Sequence, residues 1–568
     1  MSKITTLLCL FALLLLPQLS LTSSLDLASN MGSTSTQNST VFSNVPSQVT
    51  DIRFGANTRV TDGVSPYPEQ VEPTLTILSS GRVLIGWKEA DTHDGPGLRV
   101  GFCYSDDEGK TFSPNILMTT LGGGSQSDPW LISDNDDNAY FSFLEYYQLA
   151  DGSMGVAKTT DGGETWQAPT QADDTIGNLD DKETACVDAA GNIYMMWDHF
   201  VTQNQANLVF TKSLDGGTSF QPTQVLGSWD THGGIPYLTC TPNGTLFVST
   251  IGDSVPDGPL NVIHFMKSTD YGNTWSSPMV ANPPGYPEIA IITVCAVDSN
   301  HHLYICFAAG YTTDKEVYII KSTDGGNTWS APVQVNDVTT NMQRMVEMHI
   351  DADDNIHVAW LDARNGEWDI YYSYSTNGGV SFSDDYRITS EGFPLSFTRP
   401  GDYITLRSDS TGKLFIVWTD GRAVTDQDIY IAKQDISAPV ITAFPIAPPS
   451  QFQPMIFSVE VEDDDEVASV DVYYQIDSGF VHQFPLFEVS ENNYQLIVPG
   501  SQIVGSVLSY YFVANDSAGR STRLPSESSE VITAQISAFS PTLIFTIAAA
   551  VVIIVVVIII AIWYLRRP

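Results

Sequence analysis

The chain has 568 residues, 42% of them apolar and only 16% charged, which excludes a disordered chain and a coiled coil. Its 25 Lys and Arg stand against 66 Asp and Glu, a formal charge of −41, so nucleic acid is excluded as a partner. With 42 Gly, 24 Tyr and 11 Trp, the composition suits an all-β protein with many tight turns.

Residues 1–22 start with Lys3 and run apolar from Leu7 to Leu16, the pattern of a signal peptide. Residues 23–50 are rich in Ser, Thr and Asn and read as a flexible segment, with Asn38-Ser39-Thr40 as a glycosylation acceptor. At the other end, 542–565 carries no charge and is long enough to cross a bilayer. A linker, 536–541, precedes it; Arg566-Arg567 open the tail 566–568 and set the expected orientation, a single-pass type I protein of the cell membrane with its bulk outside. Of the six cysteines, Cys9 falls in the leader. The other five are scattered and read mainly as buried thiols, with Cys295 and Cys306 placed as cross-strand neighbours.

From 51 to 436 one pattern recurs six times: S/T-x-D-x-G-x-T/S-W/F, with Asn377 replacing Asp in the last copy. First residues are Ser105, Thr159, Ser213, Ser268, Ser322 and Ser375, at steps of 53 to 55. The Asp accepts backbone N–H groups across a hairpin, Gly supplies a positive φ, and the aromatic covers the turn. A second marker, a turn followed by alternating apolar residues, ends at positions 87, 143, 197, 250, 307, 360 and 418. Each unit thus reads as four short antiparallel strands, and radial repetition of such units is a β-propeller. Seven blades are favoured and six is the alternative. The seventh unit lacks its octapeptide, so the strand near Ile52 to Val60 is expected to complete it by pairing with Asp428 to Ala432. Residues 437–535 change period and predict an immunoglobulin- or fibronectin-like sandwich. No cofactor is called for by any motif, although Glu462-Asp463-Asp464-Asp465-Glu466 offers ligands for calcium.

The six octapeptides resemble the Asp-box, or bacterial neuraminidase repeat, and residues 51–436 resemble the sialidase superfamily. That resemblance implies three arginines holding a sugar carboxylate, a Tyr–Glu pair as nucleophile and an Asp as acid/base. Pro73 and Glu89-Ala90 match the family's opening, but Val71 and Asp91 stand where it has arginines. Arg344, Arg399 and Arg422 are the candidates for a replacement clamp, with Arg344 and Arg399 before inner strands. Arg422 and Arg364 occupy parallel contexts in two blades, which favours a structural hairpin salt bridge for both. Loops on the same face supply Glu72, Glu89, Asp128, Glu145, Asp198, His199, His232 and Glu288 for acid/base work, and Tyr146, Tyr147, Tyr237 and Tyr311 for stacking on sugars. Glu72, Asp128 and Glu288 are the catalytic candidates with the arginines; Arg344, Arg399, His232 and Tyr237 are the ligand-binding ones. The expected function is a cell-surface, sialidase-like propeller that binds glycans or glycoproteins. A sialidase-type glycoside hydrolase and a structural adhesion or surface-layer protein are the alternatives.

Overall fold

The structure is a computed structural model. It describes residues 52–538 except 64, 66, 93–98, 149–150, 175–178, 203–204, 230–233, 254–259, 286, 312–313, 397–402, 424–425 and 445. The described chain is all-β, consistent with a β-propeller; its one helical segment is a 3-10 turn at Gly500–Gln502.

Seven antiparallel sheets follow one another along the chain up to Asp435. The first is a meander of Glu69–Ile77, Val83–Ala90, Arg99–Ser105 and Ile116–Leu117. The first strand of each sheet packs against the first strand of the next, and Thr405–Ser408 of the last packs against Glu69–Ile77 of the first, so the series closes into a ring. Side-chain hydroxyls tie the inner strands together: Thr74 Oγ1 accepts the Leu131 N–H at 2.9 Å, and Thr405 Oγ1 donates to the Pro73 carbonyl at 3.1 Å. Both faces of most strands are covered by neighbouring sheets. That explains why Val83–Ala90, Ile356–Asp362 and Leu414–Asp420 are buried at every position and read as near-continuous apolar runs.

Closure joins the two ends of this region. Arg53 and Phe54 pair with Asp435 and Gln434, and Thr58 and Arg59 with Ile431 and Tyr430. The expected pairing is therefore present, but in two short pieces separated by Gly55–Asn57 and reaching as far as Asp435. Arg59 also meets Asp428 at 2.5 Å.

All six octapeptides share one hydrogen-bond pattern. In the first, the Ser105 hydroxyl donates to Asp107 Oδ1 and accepts the Gly109 N–H, both at 2.8 Å, while the Thr111 N–H donates to Asp107 Oδ1 at 2.8 Å. Asn377 keeps the same acceptor, taking the Ser381 N–H at 3.1 Å. The aromatic does more than cover its own turn. Trp166, Trp275 and Trp329 each lie edge-on to a phenylalanine of the preceding sheet, Phe102, Phe210 and Phe265, at 5.1–5.5 Å between centroids. The octapeptide is thus a seam between sheets, because its eighth residue projects past the edge of its own hairpin.

Beyond Asp435, two further sheets pack face to face around Phe457, Val472, Tyr474, Tyr510 and Phe512. Phe457 lies 5.1 Å from Tyr510 and 5.7 Å from Tyr474. Alternation is clean in Val507–Asp516, where every second residue is buried, as a two-layer packing requires.

Two expectations are corrected. Cys295 pairs with Ile305 and Cys306 with Val294, so those two cysteines sit on a diagonal rather than opposite each other. All five described cysteines are free thiols. The single-pass membrane placement is also overturned: among the described residues no helix is long and apolar enough to cross a membrane. The segments 1–22 and 542–565, on which that expectation rested, lie outside the described residues.

Candidate functional site

The inner strands carry a shared irregularity. A β-bulge interrupts the register between Val71 and Thr74, Ser127 and Trp130, Asp181 and Thr184, and Arg344 and Glu347. At each bulge a non-glycine residue holds a left-handed backbone: Glu72 (φ 58°), Asp128 (49°), Lys182 (60°) and Met345 (52°). Such a conformation costs about 1–3 kcal/mol per residue and turns the side chain out of the pleat. Pro73 and Pro129 follow directly; on an inner edge that needs no ladder partner, their missing N–H costs nothing.

These bulges gather the charged groups near the ring axis. Glu72 Oε1 meets Lys88 Nζ at 3.3 Å, and Glu72 Oε2 accepts the Asp128 N–H at 3.3 Å. Asp128 Oδ1 accepts the Tyr403 hydroxyl at 3.0 Å. Burial works against the Lys88 charge, but the Glu72 and Asp128 carboxylates outweigh it and hold Lys88 above its ordinary value. Glu183, beside the Lys182 bulge, is 1% exposed, and neither carboxyl oxygen has a hydrogen-bond partner. Burial first, then the fields of Asp128, Asp181 and Glu72, push its pKa well above the ordinary carboxylate value. Asp198 is raised likewise, by burial and by Asp181. His199 Nδ1 meets Asp180 Oδ1 at 2.6 Å, and that bond raises the imidazole against the opposing effect of burial.

Next to this acidic group lies an aromatic layer. Trp130 stands edge-on to Tyr237 (5.7 Å) and Tyr403 (6.0 Å), and its indole N–H donates to the Ala185 carbonyl at 3.0 Å. Tyr237 donates to Glu347 Oε1 at 3.4 Å, and Arg407 reaches the same oxygen at 2.5 Å.

The structure brings Glu72 and Asp128 together and leaves other candidates elsewhere. Glu288 pairs with Lys315 at 3.3 Å and is half exposed. Glu89 accepts the Trp87 indole N–H at 3.0 Å, as Asp362 and Asp420 do for Trp360 and Trp418 at 2.9 Å. Glu145 accepts the N–H groups of Leu121, Gly122 and Gly124, which fixes that loop. Arg364 is bound to Asp362 and Asp385, each at 2.7 Å, and stacks over Tyr371. Arg422 repeats the arrangement on Asp420 and Tyr430. Arg344 lies over the Trp368 ring at 5.5 Å. Arg399, His232 and the side chains of Tyr147 and Tyr311 lie outside the described residues. Lys88, Glu183, Glu347, Tyr403 and Arg407 were missed by sequence reasoning because alternating strand residues give no sign of which end of a ring they face. The pairs Glu72-Pro73 and Asp128-Pro129 were the usable signal, since a proline inside a strand marks an edge or a bulge.

No protein-family model matches the chain, and no curated relative matches it. Solved structures do resemble it. They include an ulvan lyase of polysaccharide lyase family PL25 (11% identity, 68% of this chain and 94% of that one, TM-score 0.45). An α-L-arabinanase of Penicillium chrysogenum complexed with arabinobiose is another (13%, 68% and 99%, 0.43). The NanB sialidase of Streptococcus pneumoniae is a third (15%, 67% and 70%, 0.39).

Proposed function

We propose that the ring is a seven-bladed Asp-box propeller carrying an immunoglobulin- or fibronectin-like sandwich, and that it binds neutral or amino-sugar glycans beside Glu72, Lys88, Asp128 and Glu183. The observation that supports this reading is the placement of Glu72, Asp128 and Glu183 at or next to one repeat position on three successive inner strands. Carboxylates accept hydroxyl and ammonium donors in pairs. The acidic field of a chain with charge −41 disfavours anionic sugars. The arginines speak for the same ligand class: Arg364, Arg407 and Arg422 are each engaged with a carboxylate, which leaves them poor holders of a sugar carboxylate. Glycan-array binding of the full chain is the test. Neutral or amino-sugar glycans are expected to bind, with a tenfold or greater loss in Asp128→Asn. A folded chain that binds no glycan, or only sialylated ones, overturns the reading.

A glycoside hydrolase is the second reading, favoured by one observation. Glu183 is buried with neither carboxyl oxygen hydrogen-bonded, and burial together with the field of Asp128 raises its pKa; acid/base pairs in glycosidases are set apart by such differences in environment. A panel of fluorogenic glycosides, a sialoside included, decides it: turnover lost in Glu183→Gln supports hydrolysis, and no turnover on any substrate removes it.

A further inference from the structure

Two cysteines from neighbouring sheets face each other across one joint of the ring. Cys186 lies on Leu179–Val187 and Cys240 ends Tyr237–Cys240, the inner strands of the third and fourth sheets. Within its own sheet Cys186 is directly opposite Tyr194, and Cys240 is directly opposite Leu246, so each cysteine points to the same side as that neighbour. Tyr194 and Leu246 are both buried in one apolar layer between the two sheets, and both cysteines pack against that layer. Hydrogen bonds fix the register across the joint on either side of the pair. The Thr184 hydroxyl donates to the Pro236 carbonyl at 3.0 Å and accepts the Leu238 N–H at 3.1 Å, and the Ala189 N–H donates to the Pro242 carbonyl at 3.1 Å. Cys186 and Cys240 lie between these ties. Both are free and half-buried, and their thiols are hydrogen-bonded to each other.

The other described cysteines are not placed in this way. Cys295 is directly opposite Ile305, so the next residue, Cys306, points to the other side of the same sheet. Cys103 packs in a separate cluster with Trp87 and Phe415.

We propose that Cys186 and Cys240 are a disulfide-forming pair that staples the third sheet of the ring to the fourth. Thiols already in contact reach bonding distance by side-chain rotation, without moving the strands. The joint is otherwise held by side-chain packing and single hydrogen bonds rather than by a strand ladder, so a covalent link adds a constraint that packing lacks. The oxidant is a disulfide donor, and the exchange runs in two steps. Burial and the neighbouring Cys240 push the Cys186 thiol well above its ordinary value, so Cys240 attacks first. Its thiolate bonds to one donor sulfur and releases the other as a thiol. Cys186 then gives up its proton, attacks the Cys240 sulfur of the mixed disulfide and expels the second donor thiol. Two thiols of the chain are oxidised, and one donor disulfide is reduced to two thiols.

Mass spectrometry of the folded full chain, reduced and then incubated with oxidised glutathione, is the test, alongside thermal unfolding. The oxidised chain is expected to be lighter by two hydrogens and to yield one cross-linked peptide pair, joining Cys186 to Cys240, that reductant separates. Its melting temperature is expected to exceed that of the reduced chain by about 5 °C, because the link restricts the unfolded chain. That gain is expected to vanish in Cys240→Ser and to persist in Cys295→Ser. Should Cys240→Ser fail to fold, the peptide map of the parent decides. The proposal is overturned if both cysteines stay free in oxidised glutathione, or if either carries glutathione without closing. It is equally overturned if the cross-link joins other cysteines or two chains, or if the closed pair leaves the melting temperature where it was.

Discussion

Trp275 meets Phe210 edge to face, with ring centroids 5.1 Å apart and planes inclined by 72°, although the two side chains belong to different sheets. Phe102 and Phe265 occupy the same place in their units, three residues before an octapeptide, and receive Trp166 and Trp329 in the same way. The repeat therefore encodes its own joint: one unit provides the socket and the next provides the ring that fills it. Trp275→Ala is expected to lower the unfolding free energy by about 2–4 kcal/mol and Trp275→Phe by less than half of that. Urea unfolding of the purified variants checks this. Equal midpoints for parent and Trp275→Ala would show that the seam is ornamental.

Closure of the ring rests on the segment from Arg53 to Val60. Gly55 and Val60 donate to the carbonyls of Lys433 and Ile429 at 3.0 and 2.8 Å. Deleting residues 1–60 exposes the edge of the strand Asp428–Asp435, whereas deleting 1–45 touches none of these bonds. The first deletion is expected to lower the denaturant midpoint of the whole ring and the second to leave it in place. Identical midpoints in both deletions would refute the closure.

His349 gives a pH dependence with a definite sign. Burial, then the nearby Arg407 charge, holds its imidazole down at about 3. Its Nε2 accepts the Ser408 N–H at 3.2 Å, which only the unprotonated nitrogen can do. The unfolded imidazole titrates near 6.5. Below that pH the unfolded chain binds the extra proton, so this group's contribution to stability falls as pH drops from 6.5 toward 3. The loss is roughly 1 kcal/mol per pH unit. Urea midpoints at pH 7 and pH 5 measure it, and His349→Gln is expected to flatten the difference. An unchanged slope in that variant would rule out His349 as the source.

Glu183 runs the other way. Its folded value lies well above 4.5, so the folded chain holds a proton that the unfolded chain releases above that pH. Its contribution declines as pH rises from 4.5 toward the folded value. Gln mimics the neutral acid, so Glu183→Gln is expected to match the parent near pH 4 and to exceed it at pH 8. Calorimetric melting temperatures at the two pH values decide. A variant less stable than the parent at pH 8 would mean that Glu183 is ionised and answered by a cation.

Local residue chemistry made the strand meander, the six octapeptides and the partner of the N-terminal strand readable without coordinates. Asp, Gly and hydroxyl residues at fixed offsets dictate a hairpin wherever they occur, and a repeat that lacks its last strand must find one. The parallel contexts of Arg364 and Arg422 were visible for the same reason, since each arginine answers an aspartate two residues before it. The site was not readable in this way. Tyr403 and Arg407 reach Asp128 and Glu347 across 275 and 60 residues of chain, contacts made only when neighbouring sheets of the ring pack together. Glu89 and Glu145, which looked equally available in the sequence, are drawn instead to an indole and to three backbone amides. Which carboxylate faces the axis and which is consumed by its own sheet depends on a bulge at one residue. A bulge turns the chain by the geometry of its neighbours, and that decision belongs to the tertiary structure.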